Sequence, residues 1–492
     1  MLVAAGVVLF IAPAGRGICA DAGIAPNIVV ILADDLGYSD VVCYGASKVH
    51  TPNVDRLARE GMRFSDAHSP CSVCTPSRYN TLTGRYCWRT WAKTGCVWAN
   101  DPLLIDDGRM TIASLLKQAG YVTGCVGKWH QGFGRPGTPG WDDLLGPDFN
   151  GELRPGPCEV GFDYFFGMPA IFQHPNVFIE NHRVVDIKPG DPIRLKPDLR
   201  RQFQTDYLHR PRTENINLQM ASGKSAEYDF TQGAIRLTAK AVSFIEDHRQ
   251  QRFFLHFPMR NIHEPLAPNP RFAGTSQAGT YGDFIQELDW CVGEVLGTLD
   301  RLKLTDSTLV IFSSDNGGTA LCLGGKNGPL RGYKTEVLEG GHRIPFIVRW
   351  PGHVKPGSES AQLAANTDLL ATFAAVAGQT LPRDAAEDSF SILPVLLGQP
   401  DAPGLRQTLV NDSYLGLYSI REGAWKLILG QGGGGIKKLP TRPITADDPP
   451  GQLYNLSADL GETNNIYRQH PDIVARLTGL FEQIRTRGRS RP

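Results

Sequence analysis

Cys74-Thr75-Pro76-Ser77-Arg78, followed by Leu82-Thr83-Gly84-Arg85, puts a thiol directly ahead of an expected helix start, with an arginine in the first turn. Pro76 suits a first helical position, where its missing N–H costs nothing, and Gly84 suits the C-terminal stop. A side chain just ahead of such a start faces unpaired backbone N–H groups and the positive end of the helix dipole. An anionic substrate beside Cys74 is the expected chemistry. Asp34-Asp35 and Asp315-Asn316 offer only hard oxygen ligands, which suit calcium or magnesium and disfavour zinc or copper. Carboxylates, an amide and a substrate oxygen make a flexible site, which favours calcium. His130 and His263 are either proton-transfer groups or ordinary hydrogen-bonded histidines. Cys71 and Cys74 also spell C-x-x-C, a redox pair or half of a zinc site, but no second pair completes four zinc ligands.

Four apolar runs must position these groups. Asn27-Ile-Val-Val-Ile-Leu-Ala33 ends in Asp34-Asp35, and Thr308-Leu-Val-Ile-Phe-Ser313 ends in Ser314-Asp315-Asn316. Tyr121-Val-Thr-Gly-Cys-Val126 runs into Gly127-Lys128-Trp129-His130, and Phe253-Phe-Leu-His-Phe257 runs towards His263-Glu264-Pro265. Continuous β-branched runs of this kind are expected of parallel strands buried on both faces. Open α/β sheets place ligand sites outside the carboxyl ends of their strands, so the four ends are expected to converge on one crevice. The helices between them are expected at 51–61, 111–120 and 284–301, with start signals, helical spacing and, for the first two, a terminal glycine.

The run C-x-P-S-R-x-x-x-L-T-G-R resembles the signature of the type I sulfatases, members of the alkaline phosphatase superfamily. Asp34-Asp35-Leu36-Gly37, Thr51-Pro52-Asn53-Val54-Asp55, Gly127-Lys128-Trp129-His130, Gly161-Phe162-Asp163, His263-Glu264-Pro265, Ser314-Asp315-Asn316-Gly317 and Glu339-Gly340-Gly341-His342-Arg343-Ile344-Pro345 are similar to further blocks in the family's order. The resemblance implies that Cys74 is oxidised after translation to formylglycine by a formylglycine-generating or anaerobic maturation enzyme. It implies that Asp34, Asp35, Asp315 and Asn316, with the residue at 74, bind one calcium ion, and that Arg78 and Lys128 hold the formylglycine. His130 would assist breakdown of the intermediate, and His263 and Lys334 would contact sulfate near the leaving oxygen. A further polar family position is not identified by Met168-Pro-Ala-Ile-Phe-Gln173.

The implied reaction is hydrolysis of a sulfate ester, arylsulfatase-like and acting on sulfated carbohydrate. A hydrated aldehyde brings two hydroxyls on one carbon: the first displaces the alcohol from sulfur, and loss of the second hydroxyl's proton expels sulfate. Serine has only one oxygen there and lacks the second step. Two alternatives stand beside this reading: a phosphonate monoester or phosphodiester hydrolase of the same superfamily, and a non-catalytic anion-binding protein in which Cys74 stays unmodified.

The chain has 492 residues, with 50 basic and 50 acidic side chains, so no global field argues for nucleic acid or a membrane surface. Anion recognition must be local. The apolar run Met1 to Pro13, followed by small residues through Ala22, reads as a signal peptide over 1–22, although it lacks the basic residues expected ahead of it. That places the protein in an exported, periplasmic, secreted or lumenal setting, without stable membrane insertion. Cys43, Cys71, Cys87, Cys96, Cys125, Cys158, Cys291 and Cys322 are then free to form disulfides, in pairs the sequence does not dictate.

The expected fold is α/β: a large, mostly parallel mixed sheet sandwiched by helices over 26–378, in the alkaline-phosphatase manner. A smaller C-terminal α+β portion over 379–492 follows, with an antiparallel sheet from a Ser419–Leu429 hairpin and Gln452–Leu456, and a final helix at 473–485. The aromatic and basic stretch Arg85–Trp91, with Trp98, is either packing or a sugar-binding rim. Arg194, Lys196, Arg200, Arg201, Arg210 and Arg212 form a basic insertion that is either a solvated excursion or a grip on an anionic glycan. The glycine run Gln431–Gly435 is expected to be a flexible turn, because no G-K-S/T follows it.

Overall fold

Alternate residues of Asn27–Ala33 enter opposite cores: Ile28 and Val30 face one layer of helices, Val29 and Ile31 the other. A strand with helices on both faces must be apolar at every position, and this one is buried throughout. The computed structural model describes residues 25–171, 174–198, 218–321, 327–436, 445 and 447–492. The candidate signal segment, Cys322, Gln173 and Arg200, Arg201, Arg210 and Arg212 lie outside the described residues.

The four expected strands form as Asn27–Ala33, Val122–Lys128, Phe253–Pro258 and Thr308–Ser314. They are mutual neighbours, all parallel, in the order Thr308–Ser314, Asn27–Ala33, Phe253–Pro258, Val122–Lys128. They occupy the middle of a ten-stranded sheet. Tyr164–Met168 extends it in parallel beyond Val122–Lys128, while Phe346–Arg349 pairs antiparallel with Thr308–Ser314 and makes the sheet mixed.

One face carries the helices Cys74–Thr83, Ile112–Gln118 and Asp368–Val376, which bury Tyr79, Leu82, Leu116 and Phe373 against it. The other carries Pro52–Glu60, Gly233–Asp247 and Gly279–Arg301, through Leu57, Phe244, Leu288 and Val292. Thr111 caps the second helix as expected, its side chain accepting from Ser114 N. The helix expected to begin at Phe284 begins at Gly279.

Beyond the main sheet, Thr408–Asp412, Tyr418–Glu422, Trp425–Ile428 and Gln452–Asn455 form a consecutive antiparallel sheet. The helix Pro471–Arg487 covers it, burying Leu477, Phe481 and Ile484 against Val410, Ile420, Leu427 and Leu453. Tyr86 joins that core, and Arg89 pairs with Asp388 at 2.9 Å and stacks over the Trp88 ring. Tyr86, Trp88 and Arg89 therefore serve packing between the sheets, as the blander alternative had it. Arg194 and Lys196 lie on the strand Arg194–Pro197, which pairs with Leu218–Ser222. The glycine run is tied down at several points: Gly433 O accepts from Val337 N at 2.8 Å, and Gly430 O and Gly432 O accept from Gln452 Nε2.

Candidate active site

Three of the four parallel strand ends are laced together by backbone hydrogen bonds, from Asp34 N to Asn261 O at 2.8 Å, Ile262 N to Asp34 O at 2.7 Å and Asp315 N to Ala33 O at 3.0 Å. Two site residues carry unusual backbone: Asp35 has φ 67° and His130 has φ 56°. Non-glycine residues rarely occupy the left-handed region, and such strain collects where function fixes a side chain's direction. Close approach of the strands also dictates Gly127, since a Cβ there would lie 1.9 Å from Pro258 O.

The helix below Cys74 starts earlier than its sequence suggested. It spans Cys74–Thr83, with Val73 as the extended N-cap, so Cys74 is itself the first helical residue rather than the one ahead of the start. Pro76 is tolerated two residues in because the first four N–H groups of a helix have no partner within it. Arg78 consequently sits one turn up. Gly84 ends the helix in the left-handed region as expected, its N–H donating to Asn80 O.

Arg78 and Lys128 both reach the carboxylate floor. Arg78 Nη2 lies 2.8 Å from Asp315 Oδ2 and 3.4 Å from Asp34 Oδ2, and its Nη1 donates to Lys128 O at 3.0 Å. Lys128 Nζ donates to Asp34 Oδ2 at 2.7 Å, with both side chains fully buried. Lys334, from the loop after the Thr308 strand, brings Nζ to 2.7 Å from Asp35 Oδ1. His263 Nε2 lies 3.7 Å from Asp35 Oδ2, and its Nδ1 is 2.6 Å from Glu264 O. His130 and Cys74 also come together, with ligand atoms of Cys74, Cys96 and His130 all within 4.8 Å of one another.

The electrostatics follow from burial and charge. Burial pushes Asp34 up, but Lys128, His263 and Arg78 outweigh it and hold the carboxyl well below its usual range. Burial and the Asp34 charge push Asp315 well up, against the pull of Arg78. Contact with Cys96 pulls the Cys74 thiol down, and Lys128, His130 and Lys334 add to that pull against burial. Burial also lowers His130, and burial with the Lys334 charge lowers His263 to about 4, so both imidazoles are neutral near pH 7.

The donor set fits a hard cation. Asp34 Oδ2 is taken by cationic side chains, which leaves Asp34 Oδ1 buried without a hydrogen-bond partner among the described residues. Asn316 Nδ2 donates to Asp35 Oδ1 at 2.7 Å, which leaves Asn316 Oδ1 equally buried and equally unpartnered. Buried oxygens of this kind are costly unless something satisfies them, and oxygen-only ligands are what calcium takes.

Two neighbours of the site were not singled out as such from the sequence. Asn261, whose Oδ1 is also buried without a partner among the described residues, follows the Phe253 strand by three residues. Cys96 places its thiol 3.8 Å from that of Cys74. Nothing in its loop sequence marks it, and the C-x-x-C spacing points instead to Cys71, whose thiol donates to Asp412 Oδ2 at 3.2 Å. None of the described cysteines is in a disulfide in this structure.

Comparison with known proteins agrees with this geometry. Residues 26–379 match the Sulfatase family model, and residues 333–428 match that of the N-sulphoglucosamine sulphohydrolase C-terminal region. The chain is 41% identical to an N-acetylgalactosamine-6-O-sulfatase of Bacteroides thetaiotaomicron, covering 94% of this chain and 93% of that protein. It is 34% identical to human arylsulfatase A, covering 90% of this chain and 83% of that one. A solved Bacteroides thetaiotaomicron sulfatase, described under the metabolism of multiple glycosaminoglycans, superposes with a TM-score of 0.82 at 40% identity over 94% of this chain and 99% of its own. With the family model spanning most of its length and relatives of this identity along nearly all of it, the chain belongs to the sulfatase family and is a sulfate ester hydrolase of the alkaline-phosphatase-like fold.

Proposed function

We propose that the protein removes sulfate from a sulfated carbohydrate, in particular the 6-O-sulfate of an N-acetylgalactosamine unit, using formylglycine derived from Cys74 and one calcium ion. The observation that carries the site chemistry is the pair of buried, unpartnered oxygens, Asp34 Oδ1 and Asn316 Oδ1, beside three cationic side chains and Cys74. The sugar rests on the Bacteroides relative and on a human N-acetylgalactosamine-6-sulfatase that is 35% identical over 76% of this chain.

Asp34, Asp35, Asp315, Asn316 and the residue at 74 would hold the calcium, whose charge offsets three carboxylates and polarises a sulfate oxygen. Formylglycine at 74 would supply, as its hydrate, the nucleophilic hydroxyl and the second hydroxyl that frees the enzyme. Arg78, fixed on Asp315, Asp34 and the Lys128 carbonyl, keeps the carboxylates in register. Lys128 and Lys334, each pinned on one member of the Asp34-Asp35 pair, present positive charge to an anionic ester. His130, neutral beside position 74, takes a proton from that residue. His263 and Lys334 meet the sulfate near the leaving oxygen.

This reading brings with it a maturation enzyme that oxidises Cys74, export with loss of residues 1–22, and a division into a catalytic unit at 26–378 and a C-terminal unit at 379–492. Among the described residues, no helix is long and apolar enough to cross a membrane. The test is kcat/KM on N-acetylgalactosamine 6-sulfate, other positional sulfates, nitrophenyl sulfate and a nitrophenyl phosphodiester. A preference of about 100-fold or more for the 6-sulfated galactosamine is expected, since a site built on hydrogen bonds rejects a misplaced group strongly. Equal rates on all sugar sulfates would remove the sugar assignment, and a faster phosphodiester would remove the sulfatase preference.

A further inference from the structure

Cys74 faces a second thiol for which sulfate ester hydrolysis has no use. Its Sγ and that of Cys96 stand 3.8 Å apart, at van der Waals contact, about 1.8 Å beyond a disulfide bond length. Cys74 is held rigidly as the first residue of a helix and is 2% exposed. Cys96 belongs to an irregular run between the short helix Cys87–Arg89 and the helix Ile112–Gln118, outside any helix or strand. That run is drawn onto the first turn of the Cys74 helix by a hydrogen bond from Val97 N to Thr75 Oγ1 at 3.1 Å. The two thiols are thus already against each other.

The other nearby cysteines are engaged differently. Cys71 gives its thiol hydrogen to Asp412, and burial, with the Asp412 charge, pushes its pKa well up, so it is a poor nucleophile. Cys87 Sγ lies 3.8 Å from Thr90 Oγ1. The sequence motif C-x-x-C therefore names the wrong partner: the thiol placed to react with Cys74 is 22 positions downstream.

We propose that Cys74, in any chain where it has not been converted, is a redox modification site that closes a reversible disulfide with Cys96. Two protein S–H bonds and the S–S bond of an external disulfide such as oxidised glutathione break, one protein S–S bond forms, and the two protons and two electrons pass to the external disulfide, which leaves as two thiols. A bond closing a loop of this length stabilises the fold by restricting the unfolded chain. The disulfide does not depend on formylglycine chemistry. Its consequence does rest on the proposed function: conversion removes the Cys74 sulfur, so disulfide and formylglycine are mutually exclusive fates of one side chain.

The full chain, made in a host without any formylglycine-forming enzyme, is equilibrated with glutathione disulfide, blocked with N-ethylmaleimide under denaturing conditions and digested with trypsin without reduction. The expected product joins peptide 64–78 to peptide 94–109, lighter by two hydrogens than the reduced pair, with maleimide on Cys71 and the link on Cys74. Dithiothreitol separates the two, and the oxidised chain melts higher than the reduced one. Cys71→Ser keeps the link, and Cys96→Ser abolishes it, leaving Cys74 blocked by maleimide. A link from Cys74 to Cys71, or maleimide on both Cys74 and Cys96 in the wild-type chain, overturns the proposal, and neither result depends on a variant folding. Coexpression with a converting enzyme separates this proposal from the function. If no aldehyde appears at position 74 while the link persists, the formylglycine reading fails and the disulfide stands. If aldehyde appears and the unconverted remainder carries free Cys74, the disulfide fails and the function stands.

Discussion

Asn316 Nδ2 donates to Asp35 Oδ1 at 2.7 Å across 281 positions of sequence, and by doing so leaves its own Oδ1 buried with no partner among the described residues. The hydrogen bond is the local reason an asparagine follows Asp315 rather than a fourth carboxylate: it can both orient Asp35 and offer a neutral oxygen. From this follows a graded prediction. Asp315→Ala deletes an anionic ligand and also strips Arg78 of its closest partner, so calcium content falls towards zero and kcat/KM drops by at least about 100-fold. Asn316→Ala loses one neutral oxygen and is milder in both respects. Metal content by mass spectrometry, at matched melting temperature, is the readout, and a full equivalent of calcium in Asp315→Ala would sink the assignment.

Cys74→Ser separates attack from release. One hydroxyl can still displace the alcohol from sulfur, but no second oxygen remains on that carbon to expel sulfate. Rapid mixing with nitrophenyl sulfate should give at most one equivalent of nitrophenol per enzyme, then a rate lower than the parent's by on the order of 10³-fold or more. Steady turnover at the parental rate would rule out the two-hydroxyl account.

The strands were legible because parallel strands buried on both faces cannot avoid being continuous apolar runs, and Asn27–Ala33 and Thr308–Ser314 are such runs. Their convergence was legible too, since polar residues directly after each run had to lie on one edge of the sheet. The order of the four strands was not, because nothing in Phe253–Pro258 states that it pairs between Asn27–Ala33 and Val122–Lys128. The helix start at Cys74 was misjudged by two residues because Pro76 signals a first position, while the first turn as a whole tolerates it. The left-handed backbone of Asp35 and His130 left no trace, as neither is a glycine. Cys96 was hidden because its proximity to Cys74 depends on the path of an irregular loop.

Asp412 gives a stability prediction at some distance from the carboxylate floor. It ends the strand Thr408–Asp412, fully buried, with Cys71 Sγ donating to its Oδ2, and burial raises its pKa to about 8. The folded state therefore keeps a proton that the unfolded chain, with an ordinary carboxyl near 4, gives up. This contribution is fully present below about pH 4 and is lost as pH rises through about 8, because between those values the native state binds more protons than the unfolded one. Asp412→Asn is neutral throughout and can still accept from Cys71. Its melting temperature relative to the parent should climb steadily from pH 5 to pH 8. A constant difference across that range would show that Asp412 is not protonated in the native protein.

Lys426 ties the C-terminal sheet to the catalytic sheet through charge buried on both sides. Its Nζ lies 3.0 Å from Glu339 Oε1 and 2.9 Å from Glu462 Oε1, all three side chains being fully buried, and 3.1 Å from His342 Nε2. His342 O in turn accepts from Ser69 N, and Ser69 Oγ donates to Ser77 Oγ on the Cys74 helix, so the network reaches the helix that begins at the nucleophile position. Breaking a buried pair from one side leaves a charge without compensation, which costs about 3–5 kcal/mol. Lys426→Met fills much of the same volume yet strips Glu462 of its cationic partner and leaves Glu339 paired with Arg343 at 2.9 Å, so it should lose that amount in denaturant unfolding. Adding Glu462→Gln removes the stranded charge, and the double variant should regain part of the loss, a coupling that a purely steric role for Lys426 would not produce. Strict additivity of the two substitutions would mean that the ion pair contributes nothing to holding the sheets together.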